Sequence, residues 1–180
     1  MRQKQVYKSP VAAMLWSIAL PGLGQLYNRD YIPAFLLLAL EFLVNYFSNL
    51  NLAILFSFNG KLLQAHEVID YRWGLFYPAV YGFAIWQAYN HAKHIVQKME
   101  GEEAPKRTYF TGCLFGMVIG MDLGIFWHDL TLFGEIRFLA FLDFPVHNGL
   151  VWGVLGAIIG SIIEKLSYRK QRSSRTYRPN

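Results

Sequence analysis

The stretch VAAMLWSIALPGLGQLY, residues 11–27, decides the architecture. It is apolar from Val11 onward, but Pro21-Gly22 interrupts it after about ten residues, too few for a helix to cross a hydrocarbon core of ~30 Å. If it does not cross, four apolar spans remain: Ile32–Phe58, Trp73 to about Ala92, Tyr109–Trp127 and about Asn148 to Leu166. One side then receives Arg2, Lys4, Lys8 and Arg29, next Lys93, Lys98, Lys106 and Arg107, and finally Lys165, Arg169, Lys170, Arg172, Arg175 and Arg178. The other side keeps only Lys61, Arg72 and Arg137, so 14 of the 17 Lys and Arg residues share one side. If residues 11–27 do cross, the best orientation gives 11 against six. Basic residues concentrate on the cytoplasmic side of membrane proteins, so the bias selects four spans with both termini cytoplasmic. Trp73, Trp127 and Trp152 fall near the outer ends of spans two, three and four, where an aromatic belt belongs.

The expected fold is therefore an all-α integral membrane domain over residues 1–166, followed by a basic cytoplasmic tail, residues 167–180. An N-terminal broken helix, re-entrant or interfacial, completes the inner side. The basic residues before Val11 also fit a secretory signal peptide, but no A-x-A-like cleavage site follows. The outer run LTLFGEIRFLAFLDF is expected to lie along the interface as a helix, because Glu135, Arg137 and Asp143 interrupt any span. The net charge of +5 points to anionic lipid headgroups at the tail and away from nucleic acid, because six basic residues cluster from Lys165 at the end of the last apolar run to Arg178. A single cysteine, Cys113, excludes an intramolecular disulfide.

Residues 9–30, SPVAAMLWSIALPGLGQLYNRD, read as a broken helical hairpin. Pro21 removes a donor, Gly22 and Gly24 permit tight backbone approach, and Tyr27-Asn28-Arg29-Asp30 leads into a polar turn. Gln25 is the natural side chain to bond carbonyls freed at the break. The run SPVAAMLWSIALPGLGQLYN resembles a signature, SPxxAxxLSxxxPGxGQxYN, of small uncharacterised bacterial membrane proteins loosely grouped with TM2-like proteins. LFYPAVYGFAIWQAYNHA resembles their following span, with Gln87 where an Asp is frequent. The HRFYLG-like feature of a TM2 domain is absent. The resemblance covers roughly residues 9–92 and implies a bacterial plasma-membrane protein; it implies no activity.

Span three carries Gly112, Gly116, Gly120 and Gly124, and span four carries Gly149, Gly153, Gly156 and Gly160. Small residues at this spacing let a second helix backbone approach closely. The pairing is either between these two neighbouring spans or across an oligomer. Glu41, Asn45, Ser48 and Asn49 share one face of span one. Glu41 lies about 14 Å and Asp122 about 20 Å into their spans, counted at the helical rise. With Asn45 and Tyr81 near the same depth, these groups are expected to meet. No Lys or Arg lies deep enough to pair with either acid, and intramembrane acids mark functional sites. They relay protons or coordinate a cation, or they fasten helices in protonated form.

His128, Asp129, Asp143 and His147 bracket the outer interfacial run and are weak metal candidates, since their spacing matches no zinc pattern. No metal, cofactor or catalytic constellation is expected. Two main readings follow: a non-enzymatic membrane component assembling with itself or a larger membrane partner, or a small transporter or proton/cation pathway using Glu41 and Asp122. Lipid chemistry at the outer His/Asp group is a remote third.

Overall fold

Helix α1, Pro10–Ala19, starts where Ser9 accepts a hydrogen bond from the Ala12 amide at 3.2 Å, with Pro10 in the first turn. It stops because Pro21 forces the residue before it into extended backbone; Leu20 has φ −160° and ψ 128°. Gly22 then turns the chain through the left-handed region at φ 102°. A side chain at this glycine would collide with the Ala34 carbonyl and Leu38, each 2.7 Å from where its first carbon would stand. Helix α2, Leu23–Asn28, closes the hairpin and ends at left-handed Arg29.

This computed structural model describes residues 8–101, 108–127, 142 and 144–176, with side chains described as far as residue 169. The described residues are all-helical, with no strand among them. The remaining helices are α3 (Tyr31–Ser48), α4 (Leu50–Phe58), α5 (Leu62–Val68), α6 (Tyr71–Gly74), α7 (Tyr77–Met99), α8 (Thr111–Phe126) and α9 (Pro145–Thr176). The chain divides into two compact units, Met1–Leu50 with Asp70–Tyr109, and Asn51–Ile69 with Phe110–Asn180.

The apolar run Ile32–Phe58 reads as one span in the sequence; the structure breaks it. Asn49 adopts the left-handed conformation at φ 55°, which Asn tolerates better than other residues with a Cβ, and the Leu50 amide donates to Ser48 Oγ at 3.2 Å. Span two likewise begins later than expected. Trp73 sits in the separate short helix α6, which Asp70 caps by accepting from the Arg72 amide at 3.0 Å. The Arg72 guanidinium beside Asp70 holds that half-buried carboxyl below its ordinary range. Trp73 stacks on Phe47 of α3, ring centres 4.8 Å apart, and tethers α6 to that helix.

In the first unit α1, α2 and α3 pack on α7, and α6 packs on α3. The buried face of α7 is Pro78, Gly82, Ala84, Ala88 and Ala92, and Ala13 of α1 and Tyr27 of α2 lie against Ala88 and Ala92. In the second unit α8 and α9 form the dominant pair. Their glycine faces oppose each other: a Cβ on Gly116 would run into the Gly156 backbone, one on Gly112 into Gly160, and one on Gly120 into Trp152. The helices thus meet backbone to backbone. Asn148 closes one end, its buried amide donating to the Gly124 carbonyl at 2.7 Å. Glu164 closes the other, accepting from the Gly112 amide at 2.9 Å in the first turn of α8. Helix α9 starts at Pro145 and continues past Leu166 to Thr176, where the sequence reading placed a tail; no Gly or Pro between residues 161 and 176 stops it.

The packing predicts that Gly116→Ala destabilises the second unit by about 1–3 kcal/mol, the cost of overpacking a close contact, with Gly116→Leu worse. Thermal unfolding in mild detergent checks this; an unchanged midpoint for both variants would refute the backbone contact.

Candidate functional site

The first unit holds a run of buried polar side chains where the broken hairpin meets α7. Gln25 is fully buried. Its Nε2 donates to the Ala84 carbonyl and to Gln87 Oε1, both at 2.8 Å, and its Oε1 accepts from Ser17 Oγ at 3.3 Å. Gln87 Nε2 donates to Asp30 Oδ2 at 2.9 Å. His91 Nδ1 stands 3.0 Å from that same oxygen, though off the axis of a linear hydrogen bond. One turn along, Asn28 donates to the Ala88 carbonyl at 2.8 Å.

The direction of this chain is imposed by one atom. A backbone carbonyl can only accept, so Ala84 fixes Gln25 with Nε2 toward α7. Gln25 Oε1 must then face Ser17, and Gln87 must accept with Oε1 and donate with Nε2. Asp30 is the obligatory acceptor at the end. Gly24 makes the approach possible, since any side chain there would strike the Ala13 carbonyl, Ser17 Oγ and Ala88. Tyr27 holds the start of α1, its hydroxyl accepting from the Ser9 amide at 3.0 Å while Lys8 donates to the Tyr27 carbonyl. Gln25 thus serves α7 and Ser17 rather than the carbonyls freed at Pro21.

The other expected polar group is partly assembled. Glu41, in α3, is 8% exposed, and its Oε1 accepts from Asn45 Nδ2 and from the Tyr77 hydroxyl, each at 3.3 Å. Tyr81 turns elsewhere and donates to the Ile18 carbonyl at the end of α1. Asp122 belongs to the second unit, and its Oδ1 has no hydrogen-bond partner among the described residues. The second unit also carries an open apolar groove of about 460 Å³ beside the glycine seam, lined by Cys113, Met117, Met121, Val154, Ile158 and Ile162.

His147 lies against the rings of Phe58 and Phe144, at 5.9 and 6.2 Å between centres. Its proposed companions His128, Asp129 and Asp143 lie outside the described residues, as does nearly all of the expected interfacial run. Among the described residues no group of three metal-ligating side chains converges.

Five residues escaped the sequence reading as members of these groups: Ser17, Asp30, Tyr77, Gln87 and His91. Ser17 and Gln25 straddle the Pro-Gly break, so no helical period links them. Gln87 and His91 do share a face of α7 at four-residue spacing, a legible signal. Across both units, no family profile, curated protein or solved structure matches the chain.

Replacing Gln25 tests the network. Gln25→Glu keeps the shape but replaces two N–H donors by at most one O–H, so it leaves Ala84 or Gln87 without its donor and should destabilise the first unit by about 1–3 kcal/mol for each polar group left unpaired, with Gln25→Ala worse. Melting curves in detergent decide; a Gln25→Glu variant as stable as the parent would show that the donors carry nothing.

Proposed function

We propose that this chain is a multi-pass integral membrane protein with a non-enzymatic role, assembling with itself or with a larger membrane partner. One observation carries the reading: the apolar and polar residues have changed places. The largest fully buried side chains among the described residues are Gln25, Pro21, Pro78, Pro145, Ser17 and Ser48. The large aliphatic and aromatic residues face outward, including Phe35, Leu36, Phe42 and Tyr46 on α3 and Val154, Ile158, Ile159 and Ile163 on α9. In water such continuous apolar faces are unfavourable; in lipid they are the solvent-matched surface, and small or polar side chains make the helix contacts.

Two described helices, Tyr31–Ser48 and Pro145–Arg169, are long and apolar enough to cross a membrane. Only 28% and 22% of their apolar windows are buried, which is unlike the core helix of a water-soluble protein. The full arrangement we propose has α3, α7, α8 and α9 spanning and the α1–α2 hairpin re-entrant from the inner side. The charge bias of 14 to three supports cytoplasmic termini. The likeness of residues 9–92 to small bacterial TM2-like proteins supports a plasma-membrane location. The non-enzymatic role is supported by how the buried polar groups are used: Ser17, Gln25, Asn28 and Gln87 bond to one another and to backbone carbonyls, fastening helices. The outward faces are left to lipid or to a partner's helices, and the tail to anionic headgroups.

Expressed in bacteria, the chain should remain in the membrane pellet after alkaline carbonate extraction. Tags on either terminus should be unreachable from outside intact cells, and cross-linking in native membranes should capture a species larger than the monomer. Extraction into the alkaline supernatant would overturn membrane integration, an externally reachable terminus would overturn the four-span arrangement, and monomer alone without a co-purifying chain would overturn the assembly role.

A further inference from the structure

Glu41 differs from the other buried polar groups of the first unit. Both hydrogen bonds it receives, from Asn45 Nδ2 and the Tyr77 hydroxyl, come from donors and go to the same oxygen, Oε1. Its second oxygen, Oε2, is buried and has no hydrogen-bond partner among the described residues. The side chain is more than nine-tenths buried. A carboxyl that merely fastens helices would use both oxygens, because an unbonded buried polar atom is costly. No Lys or Arg occurs in α3, and the charged residues by α6, Asp70 and Arg72, pair with each other at the surface.

We propose that Glu41 is a reversible binding site for a single proton, carried on Oε2 and exchanged with bulk water. The two donors on Oε1 leave Oε2 as the oxygen that takes it, and the uncharged surroundings favour the neutral acid over an unpaired anion. Tyr77 positions the carboxyl. Its ring lies 5.3 Å from that of Tyr81, whose hydroxyl reaches the Ile18 carbonyl, so the two tyrosines mark the way from Glu41 to the end of α1. Of the ionisable groups on the helices packed against α3, α7 contributes these two tyrosines, α6 carries Tyr71 beside Asp70 and Arg72, and α2 carries Tyr27, which is engaged at Ser9. The site needs no second acid and so stands apart from Asp122. It also does not depend on the number of spans.

The test uses the purified full-length protein in mild detergent, so it is independent of carbonate extraction and topology. An apolar carbodiimide, which adds only to a protonated carboxyl, should label Glu41 as located by mass spectrometry, and a water-soluble carbodiimide should not. Labelling should fall as pH rises, vanish in Glu41→Gln and persist in Asp122→Asn. Infrared spectroscopy should show a carboxylic-acid carbonyl band that is lost in Glu41→Gln, shifts in Tyr77→Phe and fades reversibly with rising pH. A band or label unchanged over the accessible pH range would overturn the proposal in favour of a fixed structural acid. Fading driven by sodium or potassium at constant pH would overturn it in favour of a cation site. Absence of label from the parent protein at every pH would also overturn it, and that measurement needs no variant to fold.

Discussion

The buried amide of Gln25 is the fastening on which the first unit depends. Pro21 and Gly22 break the chain, so no continuous helix joins α1 to α2 and the hairpin must be held by side chains. Gln25 supplies a side-chain link between the hairpin and α7 through the Ala84 carbonyl, and from there the polarity of the Ser17–Gln25–Gln87–Asp30 run follows without further choice. Gly24, Ala13, Ala88 and Ala92 are small where α1, α2 and α7 meet: a Cβ on Gly24 would strike the Ala13 carbonyl of α1 and the Ala88 side chain of α7.

The second unit solves the same problem with hardly any polar side chains. Glycines on both α8 and α9 bring the two backbones into contact along four successive turns, and dispersion over that seam replaces hydrogen bonding. At its two ends Asn148 and Glu164 bond backbone groups of α8. The glycine faces are therefore occupied within one chain, which leaves the aliphatic side of α9 as its uncovered apolar face.

Much of this was legible beforehand. Glycine spacing identified the facing surfaces of α8 and α9, and Pro21-Gly22 identified the break, because each works through backbone sterics that a sequence shows directly. Helix ends were less legible. Asn49 reads as one more polar residue on the Glu41 face until its φ of 55° shows it ending α3. Side-chain partners were least legible. Gln87 stood out only as a departure from a resembling pattern, although it links Gln25 to Asp30, and nothing in the spacing assigned Tyr77 rather than Tyr81 to Glu41.

Helix α9 runs 32 residues without interruption, about 48 Å at the helical rise, well beyond the ~30 Å that an apolar layer would cover. Its last turns are continuous with the segment seamed to α8, so they cannot swivel independently of it. Any tilt or roll of the seam reappears, magnified by leverage, at the far end of the rod. A body that grips the basic end therefore feels the orientation of the glycine pair directly.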